Sequence, residues 1–174
     1  MKNLKLIIYI IILFFYTNIS FGQNLVYADM DSIIKTSIAG KNIIVYFKKK
    51  NDELNDQLNK KKKIISEKEK SLVAQKNILE PDEYLKKINE IKKEINQFNI
   101  EHNKKIENLN FERNSVSKSF QIEINKVLKE FVEKNNIDII LSSNLMLVGK
   151  SNLDVTEKLL KQVNDNIKNF KINK

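Results

Sequence analysis

Between Lys41 and about Asn135 the apolar residues recur at helical intervals. Ile44, Phe47, Leu54, Leu58, Ile65, Leu72 and Leu79 are separated by 3, 7, 4, 7, 7 and 7 positions. This is a heptad seam with gaps, the pattern of two helices packed side by side. The stretch LEPDEY at 79–84 interrupts it. Pro81 suits the first turn of a helix, where its missing N–H costs nothing. Asp82 and Glu83 add negative charge at the positive end of that helix dipole. The seam resumes through Leu85, Ile88, Ile95, Phe98, Ile106, Leu109, Val116, Phe120, Val127 and Phe131. Two long helices joined by so short a turn must fold back as an antiparallel hairpin. The pattern therefore predicts an arm over 41–134 with its tip at Glu80, Pro81 and Asp82, each helix some 55–80 Å long at ~1.5 Å per residue.

The pattern changes on either side of the arm. Leu25-Val26-Tyr27-Ala28 reads as a short buried strand. Asp29 or Asp31 caps a short helical piece after it, and Gly40 is expected to break the chain before the arm. After Asn135-Asn136, the runs Ile137–Leu141 and Leu145–Val148 flank SSN and read as a two-strand hairpin. Asp154, with Glu157 at the capping-box spacing, opens a last helix carrying Val155, Leu159, Leu160, Val163 and Ile167. The fold class is α+β: a small strand-containing body, residues 23–40 and 135–174, interrupted by a long coiled-coil hairpin. So small a body rarely has a sufficient core alone, and its strand edges invite pairing with another chain. An oligomer sharing one sheet or barrel is expected, with Val26, Tyr27, Ile137, Ile139, Leu141 and Leu147 as the candidate oligomerisation residues.

The N-terminus sets the compartment. Lys2 and Lys5 precede an unbroken apolar run from Leu6 to Tyr16, and Ser20 and Gly22 occupy small-residue positions. That is the layout of a secretory signal over 1–22, cleaved after Gly22. Eleven apolar residues fall short of the roughly 20 a spanning helix needs. Export places the chain in an oxidising compartment, where the absence of cysteine means that no disulfide supports it. Three glycines and one proline agree with few turns and long helices.

Losing Lys2 and Lys5 with the leader lowers the formal charge from +9 to +7. Residues 41–79 hold eleven lysines against five acids, whereas 80–135 hold eleven bases and eleven acids. The excess therefore sits on the outgoing helix, chiefly in Lys48–Lys50 and Lys60–Lys63. Four consecutive helical positions point to all sides of a helix, about 100° apart, and the heptad count puts Lys61, Asn51, Lys68 and Gln75 on the seam. Lysine stems can pack there while their ammonium groups reach outward, which predicts an arm that is pliable in its middle. Arginine occurs once, against bidentate phosphate or base recognition. Aromatic residues are not interleaved with the lysines as stacking platforms, so nucleic acid is not an expected partner.

No enzyme constellation is visible. His102 is the sole histidine and cannot form a zinc site without partners. Asp29 and Asp31 read as strand exit and cap rather than a metal pair. No glycine-rich phosphate loop exists, and Phe98 and Phe120 belong to the seam. No catalytic residue, metal or cofactor is expected.

These residues resemble the Skp/OmpH family of periplasmic chaperones. LVYADMDSIIKTSIAGK is similar to that family's opening strand and short helix. IDIILSSNLMLVG followed by LDVTEKLLKQVN is similar to its closing strand pair and final helix, and the charged helical insertion fits between them. The resemblance implies a homotrimer whose strands form a common barrel from which three hairpins hang around a cavity. It also implies an ATP-independent holdase that keeps unfolded outer-membrane proteins soluble. On that reading Lys48, Lys49, Lys50, Lys60, Lys61, Lys62 and Lys63 are the candidate client-binding residues. Some members bind lipopolysaccharide or the membrane surface through basic hairpin residues. The single arginine and different lysine distribution here leave that motif unmatched. The competing reading is a structural coiled-coil spacer or envelope tether, which explains the helices but not the strands at both ends.

Overall fold

The computed structural model describes residues 23–172. The leader and its cleavage site lie outside the described residues. Strand β1 (Leu25–Ala28) alternates half-buried and buried positions, as a strand with one covered face should. Asp29 then caps α1 (Met30–Thr36), its side chain accepting from the Ser32 N–H at 2.8 Å.

The break before the arm falls at Ser37, three residues ahead of Gly40. Ser37 is extended (ψ 154°) and its hydroxyl accepts from the Gly40 N–H at 3.1 Å, capping α2 (Ile38–Ala74). Gly40 lies inside the first turn of α2 for a different reason. A Cβ there would stand 1.8 Å from the Ile34 carbonyl oxygen, so only glycine lets α1 and α2 approach so closely. A turn over 75–80 leads to α3 (Pro81–Lys134), with Glu80 at the cap and Asp82 and Glu83 in the first turn. The 54-residue α3 ends where Asn136 adopts φ 49°, a left-handed conformation that asparagine tolerates.

Strand β2 (Ile139–Ser142) does not fold back on the next segment. It pairs with β1 in parallel, Leu25 opposite Ile139 through Ala28 opposite Ser142. The whole arm is therefore the crossover of a parallel pair, which such pairs require. The expected partner strand over Leu145–Val148 is not formed among the described residues. A 3₁₀ turn at Ser143–Leu145 consumes its first residue, and Leu147 and Val148 stand fully in solvent. The other side of β1 takes a single bridge to Asp154, the Val155 N–H donating to the Tyr27 carbonyl at 2.9 Å. This leaves the outer edge of β2 open.

Helix α4 (Thr156–Ile167) starts after a second 3₁₀ turn at Ser151–Leu153. The Asp154 carboxylate accepts the Thr156 N–H, and the Thr156 hydroxyl accepts the Asp29 N–H, tying the two strand exits together. Leu159, Val163 and Ile167 form its buried stripe at four-residue steps. They join Val26, Ala28, Ile33, Phe120, Ile124, Val127, Phe131 and Ile137 in the body core. A second, smaller cluster of Phe47, Leu109 and Val116 sits at the base of the arm, flanked by Phe170 and Ile172 from the chain end. Phe170 touches both clusters and meets the Phe120 ring edge-on at 5.3 Å.

Candidate functional site

Beyond that base cluster, packing between α2 and α3 thins. From Leu54 to Ile65 on α2, and from Leu85 to Ile106 on α3, seam residues are half-buried or exposed. Leu72 near the tip is the next buried side chain. Polar contacts hold the interval instead. Lys61 Nζ lies 2.6 Å from Glu94 Oε1, and Lys68 Nζ lies 2.7 Å from Glu94 Oε2. The hydrogen bonds from Lys61 and then Lys68 hold the Glu94 carboxyl well below its ordinary value, at about 2. Lys61 also stands 6.0 Å from the centre of the Phe98 ring, which stacks on His102 at 5.6 Å. His102 is thus a flank residue against an aromatic neighbour. Lower on the arm, Lys105 donates to Gln57 at 2.8 Å.

A second polar cluster marks the base. The Tyr46 hydroxyl donates to Glu112, whose other oxygen is 3.7 Å from Lys50 Nζ. Lys50 also lies over the Tyr46 ring. The hydrogen bond to Glu112 raises the Tyr46 pKa, and the contact with Tyr46 raises that of Lys50.

The seven lysines singled out from the sequence therefore do not form one surface. Lys50 and Lys61 turn toward α3 and engage its carboxylates, whereas Lys48, Lys49, Lys60, Lys62 and Lys63 are exposed. Helical phase puts Lys49, Lys60 and Lys63 together on the side of α2 away from α3, within a sector of about 60°.

The six residues assigned to oligomerisation divide similarly. Val26 and Ile137 are buried in the chain's own core. Tyr27 is half-buried, and its ring comes so near Gly149 that a Cβ there would lie 2.8 Å from it. Ile139 and Leu141 are exposed along β2, and Leu147 is fully exposed. Beside β2, Met30, Leu128, Val132 and Ile140 line an apolar groove. The tip is the turn over 75–80, so of the three expected tip residues only Glu80 lies in it, without a side-chain cap hydrogen bond, and Pro81 and Asp82 already belong to α3.

Sequence reasoning missed Glu94 and Glu112, the acceptors that bind the two helices across the seam. Their signal was available: each flanks a seam position opposite a lysine, where interhelical ion pairs form. Among the described residues, no group of three or more His, Asp or Glu side chains is placed to hold a metal ion.

A family model described as outer membrane protein (OmpH-like) matches residues 24–163. A crystallised chain from Caulobacter crescentus CB15, assigned as an OmpH-like outer membrane chaperone, superimposes with a TM-score of 0.79 at 13% identity. The match covers 86% of this chain and 89% of that one. No curated protein sequence matches.

Proposed function

This chain belongs to the OmpH-like outer membrane protein family, and from that membership we propose that it is an ATP-independent periplasmic holdase. It would receive unfolded outer-membrane proteins between helical arms and keep them from aggregating. The observation that carries this reading is the arm itself. Helices of 37 and 54 residues, rooted in the body core through Ala39 and through Phe120–Phe131, run out from a small body, and their outer surfaces mix isolated apolar side chains with lysines. Val45, Ile64, Val73, Ile78, Ile100 and Phe111 are all exposed along it. A binder of many sequences needs such a broad, adaptable surface rather than one shaped pocket. Separate weak contacts along one client chain reinforce one another, and exposed lysines attract acidic clients at long range.

The arm works in this reading because its base is fixed and its middle is not. The base cluster and the Tyr46–Glu112–Lys50 contacts hold the helices together at the body. Farther out, the Glu94 pair can open without exposing a large core, so the space beside the arm can vary in width.

The open edge of β2, with exposed Ile139 and Leu141 and the groove at Met30, supports a homotrimer in which neighbouring bodies cover these surfaces. The leader-like N-terminal sequence supports an exported location. The test is to dilute a urea-unfolded outer-membrane β-barrel into buffer with the purified mature chain, following light scattering beside a mass measurement. Suppressed scattering by a trimer supports the reading. A monomer that leaves aggregation unchanged refutes it and returns the spacer.

A further inference from the structure

The charge balance of α3 conceals an ordered surface. Ile100, Phe111 and Ile122 are 64%, 77% and 50% exposed. They recur every eleven residues, and eleven residues make three turns plus about 20°. All three therefore share one face, with neighbours about 16 Å apart. Leu109, Val116 and Phe120, which pack inward, lie on the opposite face. Lys93, Lys104, Lys118 and Lys129 fall in the same outward sector, all exposed. Among the described residues, none of these lysines takes part in an ion pair. Glu107 is the one acid within about 40° of the stripe between 93 and 129. A helix of balanced charge thus carries a cationic stripe punctuated by apolar side chains.

We propose that this outer face of α3 is a client track for extended, acidic polypeptide that carries on one side two apolar–carboxylate pairs, each two residues apart and in mirrored order. The proposal rests on the holdase reading and names the surface and client chemistry it would use. Ile100 and Lys104 are four residues apart, as are Lys118 and Ile122, which places each pair about 6 Å apart along the axis. Same-side side chains of an extended chain repeat every 6.5–7 Å or so. Each pair therefore matches an aliphatic residue and a carboxylate two positions apart. Phe111 lies midway, seven residues from each lysine. The spacing of the five residues reads the same in both directions, so the track does not select the direction of the client chain.

Charge and spacing together choose this occupant. A second copy of α3 would oppose lysine to lysine, and one apolar residue in eleven cannot form a knobs-into-holes seam. A lipid surface asks for a broad apolar face with interfacial aromatics. This stripe offers three separated apolar side chains, and the chain has no tryptophan. An acidic extended chain with apolar side chains on the same side can meet both isoleucine–lysine pairs.

The experiment measures fluorescence anisotropy of a labelled peptide Val-Ser-Glu-Ser-Val-Ser-Val-Ser-Glu-Ser-Val, whose same-side residues read Val, Glu, Val, Val, Glu, Val, on the mature chain at low salt. One variant carries Ile100→Gln, Phe111→Gln and Ile122→Gln. A second carries Lys104→Gln and Lys118→Gln. A charge-matched control carries Lys158→Gln and Lys161→Gln on α4. Glutamine favours helix, and far-UV circular dichroism monitors the fold. Each track variant is expected to weaken binding on the order of tenfold, and the control less than twofold. If the apolar variant unfolds, the lysine variant decides. Unchanged peptide affinity in the track variants, while the unaltered chain still suppresses β-barrel aggregation, overturns the track but leaves the holdase reading standing. Failure of the unaltered chain to suppress aggregation overturns both. Loss of binding to phosphatidylglycerol vesicles in the track variants with peptide affinity unchanged also overturns the proposal, and assigns the face to lipid.

Discussion

Phe47→Ala separates the arm from the body energetically. The Phe47 side chain is 4% exposed, in a cluster with Leu109 and Val116, and its ring touches Tyr46 edge-on at 5.1 Å. Arg113 stands over its face at 5.4 Å. An aromatic burying ~200 Å² at ~25 cal/mol per Å² contributes at most ~5 kcal/mol. Phe→Ala in closed cores costs ~3–5 kcal/mol. Here Ile43, Tyr46 and Leu54 are only partly buried around it and can collapse inward, so the low end applies, about 3 kcal/mol. At 1.4 kcal/mol per tenfold, amide exchange at the arm base should quicken about a hundredfold. Native-state hydrogen exchange read by mass spectrometry would show this over 44–58 of α2 and 105–116 of α3. Protection in β1 and α4, whose side chains fill the other cluster, should change far less. Equal loss in arm and body would refute the reasoning, because the two clusters would then unfold as one unit. Unchanged exchange at the base would refute it from the other side.

Glu94 gives the arm a pH dependence confined to acid. Its folded pKa, held near 2, lies below an unfolded value of ~4.3. Its stabilising effect is thus fully present above the unfolded value and lost as pH falls through about 2. Amide exchange over 61–68 and 91–98, corrected for intrinsic rates, should be flat from neutral pH to about 5, rising only below that. Glu94→Gln should remove the dependence. Gly40→Ala drives a Cβ against the Ile34 backbone carbonyl, which no side-chain rotation relieves. It should destabilise the body by roughly 2–3 kcal/mol in urea unfolding. Lys60→Gln, Lys62→Gln and Lys63→Gln together leave the Lys61–Glu94 pair intact. They should slow client capture in stopped-flow mixing and flatten its salt dependence; identical rates in both proteins from low to high salt would remove the electrostatic part of the mechanism.

Much of this architecture was legible because the arm writes its own pattern. The heptad seam, the proline at the start of α3 and the acidic first turn each arise from local chemistry within a few residues, and so they can be read from the sequence. What escaped depends on contacts between distant residues. Leu145–Val148 has strand-like composition, but composition does not say whether a partner is present, and within one chain β2 has already taken β1. Gly40 reads as a breaker, yet its role is the close approach of α1, which no local rule reveals. Lys61 was placed on the seam correctly by counting. That its ammonium would meet a carboxylate 33 positions later, rather than water, required the register of α2 against α3. The lysine run is thus not one feature. Lys61 bridges the helices, while Lys60, Lys62 and Lys63 are exposed.

The parallel pairing of β1 and β2 makes the body depend on the root of the arm. The Asn24 N–H donates to the Asp138 carboxylate 114 positions away, across the whole arm. Closing a flexible loop of that length costs a few kcal/mol of chain entropy, growing as (3/2)RT ln n. A four-residue strand pair cannot offset that alone. When α2 and α3 fold against each other, the antiparallel hairpin brings Ile38 and Lys134 to the same end, and the effective loop shrinks to the flanking residues. Ala39 of α2, packed in the body core with Phe120, Ile124, Val127 and Phe131 of α3, is enough to do this while the arm beyond stays open. The strongest arm packing therefore stands next to the strands, where it lowers the cost of pairing. The weakest lies farther out, where the fold of the body does not need it and where movement of the arm does not disturb the sheet.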